Sequence, residues 1–113
     1  MRTGIGLVKG QNKKADVWTV TVERGPKALR GTKISVVGPV VIGRAPGSDI
    51  LLSDDVVSGR HARFSLMGTS LMVEDLGSTN GTWLNGRPVE QPTACTTGDV
   101  VRVGNAEIKV GRK

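Results

Sequence analysis

Val73-Glu74-Asp75-Leu76-Gly77-Ser78-Thr79-Asn80-Gly81-Thr82-Trp83-Leu84-Asn85-Gly86-Arg87-Pro88-Val89 contains two Asn-Gly pairs, and they call for different readings. Asn85-Gly86 lies between the short runs Thr82-Trp83-Leu84 and Arg87-Pro88-Val89, as the centre of a two-residue type I′ hairpin would. Both central residues of that turn need positive φ, which Asn and Gly tolerate best. Asn80-Gly81 sits instead in a polar loop, Gly77 to Thr82, longer than a hairpin needs and rich in short donors and acceptors. The first pair is a structural turn and the second a candidate site.

Outward from this stretch the hydrophobic period stays near two. Trp18, Val20 and Val22 alternate with Thr19 and Thr21; Ile34 and Val36 flank Ser35; Val40-Val41-Ile42 is a short apolar run. Ala62, Phe64 and Leu66 alternate with Arg63 and Ser65, Leu71 to Leu76 forms another candidate strand, and Val101/Val103 and Ala106/Ile108/Val110 close the pattern. Breakers separate them, among them Gly25-Pro26, Gly38-Pro39, Pro46-Gly47, Gly68, Gly98 and Gly104. Many short strands at this spacing predict an all-β sandwich or barrel. No window carries a 3.6-residue stripe.

A length of 113 residues suits one domain. Residues 1–15 lack hydrophobic periodicity and read as a flexible basic leader, with the domain proper over 16–111. The net charge of +6 is concentrated early: residues 1–33 hold eight Lys/Arg against Asp16 and Glu23, whereas the remainder holds eight of each sign. The basicity therefore belongs to the leading segment, residues 1–33, and the remainder is balanced. No apolar run reaches the ~18 residues needed to span a bilayer. No apolar region follows the early charges as in a secretory signal. Lone Cys95 cannot form an internal disulfide, which fits a reducing compartment. These features point to an intracellular protein, cytoplasmic or nuclear, without membrane association. Cys95 itself has no Cys or acid–base partner nearby in sequence and reads as structural.

Three segments at strand ends carry the chemistry: Gly43-Arg44, then Ser58-Gly59-Arg60-His61, then Asn80-Gly81 within its Ser/Thr-rich loop. Loops on a rigid sandwich are the usual place for binding. Together these segments, in this order, resemble the forkhead-associated (FHA) domain family. The resemblance covers about residues 17–110. It implies an eleven-stranded sandwich of two antiparallel sheets, of the SMAD/FHA type, whose loops at one end bind phosphothreonine peptides.

The residue chemistry suits that role independently. A phosphothreonine carries about −1.5 to −2 charges and three acceptor oxygens, so it needs placed donors and preferably a full positive charge. Arg44 offers a planar fork matched to phosphate. Ser58 offers a hydroxyl and, with Gly59, backbone N–H groups; Thr79 offers a second hydroxyl, and Arg60 adds charge at the edge. By the resemblance, Asn80 holds the peptide main chain, His61 buttresses the binding loops, and Val56 helps choose the peptide residue three past the phosphothreonine. An apolar Val56 cannot pair with a carboxylate, so an aliphatic residue is expected there. Gly43 and Gly81 read as backbone necessities. Many relatives carry Arg where this chain has Gly59, which removes one side-chain contact.

Other functions fit less well. Ser58 and His61 with Asp54 or Asp55 suggest a hydrolase triad, but a triad is recognised by geometry and needs an oxyanion site. With one His, no metal-ligand cluster and no Walker-type loop, neither an enzyme nor a metal or cofactor is expected. Nucleic-acid contact through the basic leader is disfavoured because aromatics make up 3% of the chain, leaving few stacking platforms. An FHA-like module that grips an unphosphorylated partner through a sheet face is the remaining alternative. The expected partner is a phosphothreonine-containing protein, the product of a Ser/Thr kinase, bound by a monomer.

Overall fold

The structure is a computed structural model that describes residues 17–113. The leader expected at residues 1–15 lies outside the described residues. Eleven strands follow: β1 (Trp18–Arg24), β2 (Lys33–Ser35), β3 (Val40–Gly43), β4 (Ile50–Leu51), β5 (Ala62–Met67), β6 (Ser70–Asp75), β7 (Thr82–Leu84), β8 (Arg87–Pro88), β9 (Thr93–Cys95), β10 (Val100–Val103) and β11 (Ala106–Arg112). They form a six-stranded sheet, in the order β2-β1-β11-β10-β7-β8, and a five-stranded sheet, in the order β4-β3-β5-β6-β9. The all-β, two-sheet, eleven-strand expectation is met.

Alternation of side chains is what lets the two sheets share one core. Successive residues of a strand face opposite sides, so Val20 and Val22, Ile42, Phe64, Leu71 and Val73, Val101 and Val103, and Ile108 and Val110 all turn inward and are buried. Phe64, the largest fully buried side chain, is the only phenylalanine in the chain. Its truncation to Ala would cost about 3–5 kcal/mol. Cys95 is buried in the same core, where desolvation, helped by nearby Asp99, pushes its thiol pKa up to about 12. It is an inert packing residue, as the sequence suggested.

The neighbours are antiparallel with one exception. β3 and β4 run parallel, pairing Ile42 with Ile50 and Gly43 with Leu51. Both strands are so short that the connection 44–49 can return the chain to the start of β3. Asp49 secures the return by accepting the Val41 N–H at 2.8 Å. Sequence patterning passed over β4 and β9, which at two and three residues are too brief to display a period.

The register of the second sheet fixes where loops emerge. Ile42 pairs with Ala62, and Ala62 with Asp75. The chain leaving β3, the chain entering β5 and the chain leaving β6 therefore meet at one end of the sandwich. The other end carries the tight β5–β6 turn, where Met67 faces Ser70, and the Trp18 indole donates to Thr69 O at 2.9 Å.

Candidate functional site

Backbone bonds stitch the three loops together before any side chain takes part. Arg44 N donates to Ser58 O and Ala45 N to Gly59 O, each at 3.0 Å; His61 N donates to Ile42 O at 2.9 Å, and Leu76 N to His61 O at 2.8 Å. Gly43 permits this closeness, because a Cβ there would lie 2.0 Å from Gly59 O. No side chain can be accommodated at that separation.

His61 is the central bolt, fully buried between the loops. Its Nδ1 accepts the Ser58 N–H at 3.0 Å, which leaves Nε2 to carry the proton and donate to Gly81 O at 2.8 Å. This imidazole spans the second and third loops with both nitrogens engaged. The Ser58 hydroxyl faces elsewhere and accepts the Thr79 N–H at 3.1 Å. Ser58 and His61 therefore do not form a nucleophile–base pair, and the triad geometry is not assembled.

A second bolt lies beneath the third loop. Asp75 Oδ1 accepts the hydroxyls of Ser78 at 2.5 Å and Thr82 at 2.7 Å, while Oδ2 accepts the N–H groups of Ser78 at 2.9 Å and Gly77 at 3.1 Å. Ser78 Oγ in turn accepts the Gly81 N–H at 2.8 Å. Burial raises the Asp75 pKa, but the bonds from Ser78, Thr82 and Gly77 outweigh it and hold the carboxyl below the usual range. Sequence reading missed Asp75 and Ser78 as supports. The available signal was an Asp opening a Ser/Thr/Gly loop, the pattern in which a short carboxylate caps nearby N–H groups.

These supports leave a particular set of groups turned outward. Arg44 is exposed, and its Nε donates to Val57 O at 2.9 Å, which orients the fork. Ser58 retains its hydroxyl proton, and the exposed Thr79 hydroxyl and Arg60 guanidinium have no protein partner among the described residues. Gly59 has room, since a Cβ there would meet only Ala45 Cβ, at 3.7 Å. Asn80 spends one amide proton on Val56 O at 2.9 Å, and its carbonyl and second proton have no partner among the described residues. Val56 is 41% exposed beside it. Gly81 adopts φ +88°, a left-handed conformation suited to glycine. All the residues singled out from sequence thus share one rim, with His61, Gly43 and Gly81 underneath as supports.

A groove of about 680 Å³ opens nearby, lined in part by Leu52, Asp54, Val57 and Asn105. It includes none of Arg44, Ser58, Thr79 or Asn80. The outward groups form a shallow rim of loop tips, which suits a small tetrahedral anion better than an enclosed ligand.

The sequence model of the FHA domain matches residues 40–104, more than half the chain and inclusive of every residue on this rim. The chain belongs to the FHA domain family. FHA domain-containing protein FhaB of Mycobacterium tuberculosis (strain H37Rv) is 45% identical over 84 residues, covering 74% of this chain and 54% of FhaB. Glycogen accumulation regulator GarA of Mycolicibacterium smegmatis is 43% identical over 86 residues, covering 75% of this chain and 52% of GarA. The chain spans about half the length of these curated relatives. A structure from a study of phosphothreonine-dependent FHA domain interactions superposes with a TM-score of 0.74 at 34% identity, over 86% of this chain and 97% of that one. The FHA domain of FhaA, solved in complex with the intracellular domain of Rv3910, gives 0.70 at 34% identity, over 82% and 98%.

Proposed function

We propose that this FHA domain is a protein-interaction module that binds phosphothreonine segments of partner proteins through the Arg44–Ser58–Thr79–Asn80 rim. The observation that carries the reading is the division of labour there. His61, Asp75 and Ser78 spend their polar atoms inward, while a guanidinium fork, two hydroxyls and an amide converge outward. Arg44, Ser58, Gly59, Thr79 and Arg60 supply the phosphate contacts, and Asn80 engages the peptide main chain. Hydrogen bonds to a charged group contribute about 1.5–3 kcal/mol each. Three such bonds make the phosphate a condition for binding.

Exposed, apolar Val56 favours an aliphatic residue three past the phosphothreonine. The partner is phosphorylated by a Ser/Thr kinase, which places the interaction inside the cell, and one chain suffices for it. The domain needs no metal or cofactor and performs no catalysis in this role.

The test is a titration of one threonine peptide in phosphorylated and unmodified forms, repeated with Arg44→Ala and Ser58→Ala. The expected result is at least a 100-fold preference for the phosphorylated form, roughly what two charge-assisted bonds supply. Each substitution should weaken binding about tenfold or more. Equal binding of both forms would overturn the reading in favour of a partner recognised without phosphate.

A further inference from the structure

Arg102 is a charged side chain that the phosphate rim does not use. It pairs in register with Trp83 across β10 and β7, and both point away from the core because Thr82, Val101 and Val103 point into it. Its guanidinium carbon lies over the Trp83 ring, 5.1 Å from the centroid. A cation stacked in this way is held in place by the ring quadrupole. Its Nη1 also reaches Gly104 O at 3.5 Å, at the edge of hydrogen-bonding distance. Glu107 sits opposite Arg102 in the β10–β11 register, yet the ion pair found among the described residues is Arg63 with Glu74. Arg102 is thus exposed, oriented and without a carboxylate partner there.

Its position ties it to the rim. A Cβ on Gly81 would lie 3.6 Å from the Trp83 indole nitrogen, so the ring abuts the Asn80-Gly81 turn. Gly104 packs against the β4–β5 loop so closely that a Cβ there would come 3.2 Å from Val56 Cγ2. Asn80 is bonded to Val56 O. Contacts therefore run from Asn80 through Gly81, Trp83, Arg102 and Gly104 to Val56 and back to Asn80. The guanidinium thus lies beside Gly104, which itself abuts Val56, at the edge of the strip where Asn80 and Val56 are presented. Asp54, in the β4–β5 loop, is already engaged: its Oδ1 accepts Val56 N–H and its Oδ2 accepts Asn105 Nδ2.

We infer that Arg102, braced on Trp83, selects an acidic side chain in the phosphopeptide just past the residue that meets Val56. This rests on the phosphopeptide reading above. A fully extended chain advances about 3.3–3.6 Å per residue. The fourth or fifth residue after the phosphothreonine is then the one in reach.

The experiment uses phosphopeptides that differ only in Asp, Ala or Lys at the fourth and fifth positions, titrated against wild type, Arg102→Ala, Arg102→Glu and Arg44→Ala. Wild type should bind the Asp peptides about two- to fivefold more tightly than the Ala peptides, the range of an exposed charge pair. Arg102→Ala should abolish that margin, and Arg102→Glu should invert it in favour of Lys. The margin should also shrink as salt rises from about 0.05 to 0.5 M, because exposed pairs are screened. Trp83→Leu, which removes the brace and keeps the charge, should reduce the margin without inverting it. If Arg44→Ala weakens all peptides but Arg102→Glu leaves their order unchanged, the Arg102 inference is overturned and the phosphate reading stands. If wild type binds none of them, both fall.

Discussion

The two Asn-Gly pairs lie five residues apart and do opposite work. Asn85 is spent entirely on the fold. It takes φ +51° and Gly86 φ +83°, as a two-residue hairpin demands. Its Nδ2 donates to Asp99 Oδ1 at 3.0 Å, its Oδ1 accepts Val100 N–H at 2.9 Å, and its own N–H donates to Val100 O at 2.9 Å. Asn80 uses one amide proton, on Val56 O, and holds the rest toward solvent. The difference lies in who supports the turn. In the short connection the asparagine must stabilise itself, whereas in the longer one 76–81 is held by Asp75, Ser78 and His61, which leaves Asn80 for the ligand contact proposed above. A binding loop is one whose structural requirements are met by other residues.

The largest test of that lesson is to remove a support. His61→Ala would leave the Ser58 N–H and Gly81 O without their partner and open a cavity at a fully buried site. Each orphaned polar group costs about 1–3 kcal/mol, so a loss of about 3 kcal/mol or more is expected in denaturant unfolding. Phosphopeptide affinity of the folded fraction should fall as well, although His61 touches no ligand in the proposed pose. Unchanged affinity at reduced stability would show that the loops keep their shape without the imidazole and would break the comparison.

A matched pair of smaller substitutions sharpens it. Asn85→Ala removes the two side-chain hydrogen bonds, to Asp99 and Val100 N–H, and leaves alanine at a positive φ that asparagine tolerates better. It should cost about 1–2 kcal/mol of stability and leave affinity unaltered. Asn80→Ala should do the reverse, weakening phosphopeptide binding about tenfold, or about 1.4 kcal/mol, with little change in melting temperature. Thermal melts and titrations on both variants form a crossed design, and a shared stability loss without an affinity loss would place Asn80 with the structural turns.

Much of this was legible because it is carried by local chemistry. Period-two alternation located β1, β2, β5, β10 and β11, a short apolar run located β3, the candidate strand Leu71 to Leu76 overlaps β6, and the Asn85-Gly86 hairpin follows from the conformations those two residues allow. The rim residues could be singled out because each belongs to a short motif beside a strand end. What stayed hidden depends on non-local contact. Strand β4 owes its existence to parallel pairing with β3, which its two residues cannot announce. The closeness of Gly43 to Gly59 O is set by how two loops meet. Trp83 and Arg102 are nineteen residues apart and become neighbours only through the β7–β10 register.

The smallest effect concerns the second support, and it can be read by pH. Asp75 accepts four hydrogen bonds that favour its charged form, and its folded pKa lies below the usual value. A carboxyl depressed in this way contributes stability that is present above the unfolded pKa, near 3.9. That contribution is lost as pH falls through the lower folded value. Asp75→Asn keeps one acceptor oxygen and loses the other, so it should melt below wild type at pH 7. The gap should be no more than about 4 °C, because the group is partly solvated and ~1 kcal/mol moves a domain of this size by only a few degrees. Below about pH 3.5 wild type progressively gives up the same interactions, and the gap should close. A gap that stayed constant down to pH 2 would mean that the loop depends on the shape of Asp75 and not on its charge. The support beneath Asn80 would then be steric, unlike the turn at Asn85, which its own hydrogen bonds hold.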